Sequence, residues 1–402
     1  MISVSDALSH LFDLVTATEV EAVPLRQAAG RVLARDVVAT RTQPPFAASS
    51  MDGYALRQTE VEPDAMFKVI GEAAAGHRFD GVVKAGQAVR IFTGAPVPEG
   101  ADFVVIQEDT TRRGDLIMLG HDIGPKTNIR PAGGDFHTGD TMDAPRLLRP
   151  ADIALLASMN VATVPVYAKP RVAIIATGDE LVQPGEVPNP DQIIASNTYG
   201  LAALLEQHGA QCRMIPIARD TVPSLTQAFT MAQDADLIIT IGGASVGDHD
   251  LVAPVAAQMG MEQAFYKVAM RPGKPLIFGR LDGMLVLGLP GNPVSAGVTS
   301  AIFLKAAMAV MLGLDDHDAA PATALLGRDL EANDFRQDYL RAVLSTDADG
   351  NLVATPFERQ DSAMMERLAK ADCLVVRPPE AAAAAKGERV EIIALGGGMV
   401  AF

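Results

Sequence analysis

The stretch Leu237-Ile-Ile-Thr-Ile-Gly-Gly-Ala-Ser-Val-Gly-Asp-His-Asp250 decides the fold of this chain. A mostly apolar run, long enough for one buried strand, breaks into a glycine pair and then a loop that ends in carboxylates. Two further polar loops follow, Arg271-Pro-Gly-Lys-Pro275 and Leu289-Pro-Gly-Asn-Pro-Val-Ser295, the second directly after the strand Leu285-Val-Leu287. Loops built from glycine and proline beside buried strands are what a parallel sheet presents at its carboxyl ends, where α/β proteins bind ligands. These loops offer backbone N–H groups, cations and carboxylates, which predicts an anionic ligand together with a metal ion.

Working outward, the chain from Arg171 repeats strand, loop, helix. The strand Val172-Ala-Ile-Ile-Ala176 ends at Thr177-Gly-Asp-Glu180. Ser196-Asn197 caps a helix through Leu201, Leu204 and Leu205 that stops at His208-Gly209. Met214-Ile-Pro-Ile217 precedes Arg219-Asp220, and a helix from Ser224 to Ala232 leads into the strand at Leu237. This predicts a doubly wound α/β domain over residues 170–317. The apolar run from Val298 to Leu314 contains Lys305 and is too short for a membrane span, so it is expected to be a buried helix.

Residues 5–16 place Ala7, Leu8, Leu11, Leu14 and Val15 on one helical face behind a Ser5-Asp6 cap. Pro150-Ala-Asp-Ile-Ala-Leu-Leu-Ala-Ser-Met159 repeats the signature. The two helices are expected to pack together in a helical domain of residues 1–43 plus 146–169. Between them, residues 44–145 alternate short β-rich runs with Gly/Pro/Asp turns, which predicts an inserted small β domain. Residues 318–402 carry Tyr339-Leu-Arg-Ala-Val-Leu344 and three more short strands, a C-terminal β-barrel or sandwich. The five alanines at 381–385 are read as loop, because Pro378-Pro379 precedes and Gly387 follows them.

A chain of 402 residues is too long for one core. Its 49 acidic against 33 basic side chains give a net charge of -16, which argues against nucleic acid or an anionic membrane as the main partner. An anionic ligand then needs a local cluster of cations. Cys212 and Cys373 are too few for a disulfide framework and are read as reduced core thiols. The N-terminus has neither a basic n-region nor an apolar h-region, so a cytoplasmic protein is expected. No P-loop, hydrolase triad or histidine pair at metal-ligand spacing occurs.

Carboxylates at Asp248 and Asp250 beside Gly242 and Gly243 would repel a phosphate unless a cation such as Mg2+ bridged them. Glu180 and Asp220 put acidic side chains at two more strand ends of the same edge. Lys267, Arg271 and Lys274 fall within eight residues, two of them in a backbone stiffened by proline, a presentation suited to an oxyanion. Ser295 lies near a helix N-terminus, a natural oxyanion position. In the inserted domain, Asp52 sits in an Asp-Gly turn, while Thr93-Gly-Ala-Pro96 and Asn128-Ile-Arg-Pro-Ala-Gly-Gly-Asp135 add Thr93, Arg130 and Asp135. Each of these also has a plain structural reading as a tight turn, a cap or a solvated face.

Six of these motifs stand in the order of one known family. Ser50-Met-Asp-Gly-Tyr-Ala55, Phe92-Thr-Gly-Ala-Pro96, Ala176-Thr-Gly-Asp-Glu-Leu181, Gly243-Ala-Ser-Val-Gly-Asp-His-Asp250, Arg271-Pro-Gly-Lys-Pro275 and Gly288-Leu-Pro-Gly-Asn-Pro-Val-Ser295 carry the likeness. The chain resembles the MoeA-type molybdopterin molybdenumtransferases of molybdenum-cofactor biosynthesis from end to end. The resemblance implies an elongated, L-shaped subunit of four domains in a homodimer. It implies a reaction in which adenylylated molybdopterin and molybdate, with a divalent cation, give molybdenum-bearing molybdopterin and AMP. By the same likeness, Asp52, Thr93, Asp135, Glu180, Asp220 and Asp250 are catalytic, and Glu180, Asp220 and Asp250 hold Mg2+. Arg130, Gly242, Gly243, Ser245, Lys267, Arg271, Lys274, Pro290, Pro293 and Ser295 would bind substrate, with Arg336 and Ser362 of the C-terminal domain as oxyanion contacts. Some relatives have lysine where this chain has Arg271, and the usual Gly-Gly-Val-Ser run is Gly-Gly-Ala-Ser here. A non-catalytic scaffold and a molybdopterin adenylyltransferase are the alternatives. The second typically has Thr-Gly-Gly-Thr-Gly at the glycine loop and lacks the other three domains. Tungstate in place of molybdate, and association with other cofactor enzymes, stay open.

Overall fold

A computed structural model describes residues 1–243, 251–314 and 322–396. Its α/β unit is built on six strands in the order Gln211–Met214, Arg171–Ala176, Leu237–Ile241, Met284–Leu289, Ile277–Leu281 and Glu262–Tyr266. The first four run parallel, Ile277–Leu281 runs antiparallel to them, and Glu262–Tyr266, antiparallel to Ile277–Leu281, runs in their direction again. Every residue of Leu237–Ile241 and Met284–Leu289 is buried, because both faces of the sheet are covered. Alternate residues supply the two faces. Ile174, Ile239 and Leu287 pack with Leu201 and Val298, while Ala173, Ile175, Ile238 and Val286 pack with Phe229 and Val255.

From Arg171–Ala176 the chain goes first to Gln211–Met214 on one side and then back to Leu237–Ile241 on the other. The topological switch point therefore lies between the Arg171–Ala176 and Leu237–Ile241 strands, and α/β ligands bind outside it. In the antiparallel return, Ile277 lies opposite Gly288. The Arg271-to-Pro275 loop thus reaches the carboxyl edge by entering an antiparallel strand, not by leaving a parallel one as its spacing suggests.

The helix Pro293–Met311 contains a π-helical segment at Ser300–Leu304, where the Thr299 and Ser300 hydroxyls donate back to main-chain carbonyls of Ser295 and Ala296. By length and composition it could cross a membrane, but 72% of its apolar window is buried in the core, as expected for a core helix.

Helix Val4–Leu14 begins two residues earlier than its pattern suggests, with Ser3 as N-cap in a capping box with Asp6. It buries Val4, Ala7 and Leu11 in the α/β core. Helix Pro150–Ser158 instead buries Leu156 in a separate core with Leu33, Val164 and Val166. Those residues belong to a four-stranded sheet of Val20–Pro24, Thr163–Tyr167, Val32–Leu33 and Arg146–Leu147. The expected packing of the two helices on each other does not occur, because Ile2 pairs with Val268. The Ile2 N–H donates to the Lys267 carbonyl at 3.1 Å, and the Ala269 N–H to the Ile2 carbonyl at 2.8 Å.

The inserted segment forms a six-stranded sheet in which Tyr54 and Leu56 of Gly53–Leu56 face one core and Ala55 the other. At the C-terminus, Gln337–Thr346 pairs with both Leu352–Pro356 and Cys373–Arg377, and Ala322–Leu326 and Arg389–Ala394 close the circuit. The result is a closed five-stranded barrel, not a sandwich. Residues 381–385 are loop, as read, with Ala384 bridging Leu330. The protein exposes 20443 Å², about a third more than the roughly 15,000 Å² of a compact monomer of this mass. Its units are therefore strung out and meet at seams.

Asp152, in the first turn of Pro150–Ser158, is buried and accepts from Arg146 Nη2 at 2.6 Å and from the Arg149 N–H at 2.9 Å. Burial opposes its ionisation, but these bonds outweigh it and hold the carboxyl below its ordinary value. A lowered folded-state pKa gives stability that is complete above the unfolded value and is lost as pH falls through the folded one. Asp152→Asn is expected to flatten the acid-side fall of the melting temperature, followed by circular dichroism below about pH 5. An unchanged acid-side slope would show that Asp152 contributes nothing to it.

Candidate functional site

A cavity of about 730 Å³ opens at the switch point. Its walls are Thr177, Gly178 and Glu180 after one strand, Asp220 after the next, Gly242 and Gly243 after the third, and Pro290 to Pro293 after the fourth. Backbone bonds lace these loops together. The Thr177 N–H donates to the Ile241 carbonyl at 3.0 Å, Gly178 to Ala218 at 3.1 Å, and Gly242 to Leu289 at 3.1 Å.

The glycine pair is required by space as well as by backbone angle. Gly242 has φ 92, and a Cβ there would stand 2.7 Å from the Thr177 carbonyl oxygen. Gly243 has φ 60, and its Cβ would meet Val252 Cγ2 at 2.5 Å. Only a residue without a side chain lets the third strand end run so close to the first.

Glu180 and Asp220 both face this cavity. The Glu180 carboxylate folds back over Gly178, and Arg219 Nη1 ties its loop to the Asp179 carbonyl at 2.8 Å. Ser245, Asp248 and Asp250 lie outside the described residues. Among the described residues no group of three metal-ligating side chains is assembled. The two carboxylates present are hard oxygen donors, which suit Mg2+.

The three cations of the second loop are placed differently. Lys267 adopts φ 67, and its Nζ lies 4.7 Å above the Tyr266 ring. Lys274 is exposed beside Pro275, which lines the cavity. Arg271 is engaged across the seam to the barrel: its Nε donates to Asp338 Oδ1 at 2.8 Å and its Nη2 to Asp338 Oδ2.

Pro290 and Pro293 stand in the cavity wall, at the N-terminus of the Pro293–Met311 helix, whose dipole favours an anion there. Ser295 is in the first turn of that helix but only 5% exposed, and it is not part of the wall. Ser362 reaches the wall from the barrel side. Its hydroxyl accepts from Asn292 Nδ2 at 3.0 Å, its carbonyl accepts from the Val294 N–H, and the adjacent Ala363 lines the cavity. Arg336 is matched by Asp334, with Nη2 2.6 Å from Oδ2.

One residue escaped the sequence reading. Arg341 is fully buried and donates to Gln360 Oε1 and the Asp361 carbonyl, just before Ser362, while its Nη2 has no partner among the described residues. Burial pushes its pKa down. The signal was there: a charge in the middle of the apolar strand Tyr339-Leu-Arg-Ala-Val-Leu344. A buried guanidinium with an uncommitted donor has the chemistry to receive an anion.

In the inserted domain, Asp52 Oδ1 accepts from both the N–H and the hydroxyl of Thr93 at 2.7 Å, which holds its carboxyl below the ordinary range. Arg130 lies on a short strand paired to Ala48–Ser49, and the Asp135 N–H donates to the Gln43 carbonyl. Ser49 and Ser50 bond to residues 94, 95 and 128, so the three loops converge. Asp52, Thr93, Arg130 and Asp135 form no part of the α/β cavity wall.

Three family models match the chain. They are the MoeA N-terminal region (domain I and II) over residues 2–160, a probable molybdopterin binding domain over 173–309, and the MoeA C-terminal region (domain IV) over 323–395. A molybdopterin molybdenumtransferase of Haemophilus influenzae is 33% identical over 397 residues, 98% of each chain. Molybdopterin molybdenumtransferase 2 of Mycobacterium tuberculosis is 33% identical over 98% of this chain and 99% of its own. The crystal structure of a molybdopterin biosynthesis MoeA protein from Pyrococcus horikoshii superposes with a TM-score of 0.81 at 27% identity, covering 98% of this chain and 99% of that one.

Gly242→Ala is expected to cost about 1–3 kcal/mol for the left-handed backbone, with an added clash against Thr177. Gly114→Ala, at φ 63 in open space, carries the backbone cost alone. Urea titration of both variants checks this, and equal losses would mean that the close approach at Thr177 is relaxed without strain.

Proposed function

The chain belongs to the molybdopterin molybdenumtransferases, transferases of molybdenum-cofactor biosynthesis, and on that footing we propose that it inserts molybdenum from molybdate into adenylylated molybdopterin. In the proposed reaction two Mo–S bonds form to the dithiolene, oxo ligands leave as water, and hydrolysis of the phosphoanhydride releases AMP. The observation that carries this reading is the cavity at the switch point, where Glu180 and Asp220 face the N-terminus of a long helix across one space. Carboxylates and an anion-favouring helix end serve one ligand when that ligand is a polyphosphate with its cation.

Glu180, Asp220 and Asp250 would hold Mg2+, which when bound offsets charge between the carboxylates and the phosphates. Lys274 at the rim and Lys267 would lower the cost of bringing a dianion to a protein of net charge -16. Pro290 and Pro293 shape the wall at the helix end, and Ser362 closes it from the barrel. Asp52, kept ionised by Thr93, would close the cleft with Thr93, Arg130 and Asp135 from the partner subunit of a homodimer, since within one chain they lie off the cavity wall. The cytoplasm is the proposed compartment.

The test is incubation of the protein with adenylylated molybdopterin, Mg2+ and either molybdate or tungstate, following AMP release and metal retention. AMP release with metal retained by the pterin is the expected result, and no AMP under any condition would favour a scaffold. Asp220→Ala is expected to slow AMP release by roughly 100-fold or more with an unchanged gel-filtration profile. Release at the wild-type rate would remove Asp220 from the metal site.

A further inference from the structure

Arg271 is one of three neighbouring cations whose spacing suits an oxyanion, yet most of its guanidinium is already engaged. A guanidinium carries five N–H donors. Nε donates to Asp338 Oδ1, Nη2 to Asp338 Oδ2 and to Asn333 Oδ1 at 3.2 Å, and Nη1 to Asp334 Oδ2 at 3.4 Å. Four of the five are thus committed to the C-terminal barrel. Asp338 is buried, and Asn333 is itself fixed, because its Nδ2 donates to the carbonyls of Arg336, Arg377 and Pro378. Diverting Arg271 to a bound oxyanion would leave a buried carboxylate without its cation, a costly state.

The backbone makes the same connection. Met270–Arg271 pairs in parallel with Gln337 and Asp338, and the Gln337 N–H donates to the Ala269 carbonyl at 2.9 Å. On its other side the same strap pairs with Ile2 through Val268. From this strap hangs the Lys274 loop. The Val268 N–H donates to the Lys274 carbonyl at 3.0 Å, and Gly273, at φ 107, packs so tightly that a Cβ would meet Thr299 Cγ2 at 2.4 Å.

Building on the proposed reaction, we infer that Arg271 and Asp338 form a clamp between the α/β unit and the barrel that positions Lys274 at the cavity rim, with Arg271 a positioning residue and not an oxyanion ligand. The same clamp sets the barrel face that brings Ser362 and Ala363 to the cavity. It also gives the arginine a reason: a planar fork grips a carboxylate with two parallel bonds, whereas a lysine ammonium in its place would act as a point charge.

The test compares Arg271→Lys, Asp338→Asn and the double variant in the full-length protein. A clamp predicts that each single variant raises the KM for molybdate by about tenfold with a smaller effect on kcat, and that the double variant is no worse than either. Asp338→Asn decides, because it leaves Arg271 in place and releases it. An unchanged or lower molybdate KM in Asp338→Asn would make Arg271 a ligand and overturn the clamp. Limited proteolysis at the barrel junction reads the clamp without substrate: faster cleavage in both single variants is expected, and wild-type cleavage in both overturns it. A wild-type protein that neither responds to molybdate nor releases AMP would instead sink the proposed reaction, leaving proteolysis to judge the clamp.

Discussion

The contact on which the structure most depends is an absence: no side-chain atom stands between Gly242 and the Thr177 carbonyl oxygen. Because the two backbones can approach there, the ends of the Arg171–Ala176 and Leu237–Ile241 strands stay side by side past the last sheet pairing. Four successive loops then rim a single cavity. The sheet below is held by continuous apolar strands with a core on each face, so the polar edge is the place where the chain can vary its chemistry.

Electrostatically, an acidic protein that takes an anionic ligand must work against its own field. Here the offset is local. The helix end at Pro293, the rim lysine and the carboxylates that would hold a cation all meet within one opening, while many arginines elsewhere are paired, as Arg31 with Glu21, Arg171 with Asp236 and Arg336 with Asp334. The buried, partly unpaired Arg341 is an exception beside the site. Most charged side chains face solvent, and the ion pair of Arg271 with Asp338 joins two units.

Much of the architecture is legible in the sequence. The strands at Val172–Ala176 and Leu237–Ile241 are plain because nearly continuous apolar runs have few alternatives, and the Gly/Pro loops mark the functional edge. What escaped was set by partners distant in sequence. Helix Val4–Leu14 has a clear amphipathic face, but nothing local says that the face belongs to the α/β core and not to Pro150–Ser158. Arg271 looked like one of three neighbouring cations, and only its pairing with a carboxylate 67 residues away separates it from Lys274. Barrel closure likewise rests on pairings such as Ala322–Leu326 with Arg389–Ala394, which a periodic pattern cannot reveal.

The pairing of Ile2 with Val268 has a consequence for synthesis. The first helix leaves the ribosome with an apolar face whose binding surface has not yet been made, since Val268 and Met308 come far later in the chain. At ordinary elongation rates that wait is on the order of ten to fifty seconds. During it the inserted β unit and its supporting sheet can fold, because their own cores are built from earlier residues. The N-terminal helix is therefore among the last pieces to dock, and a nascent chain carries it as an exposed sticky end until the α/β sheet is complete.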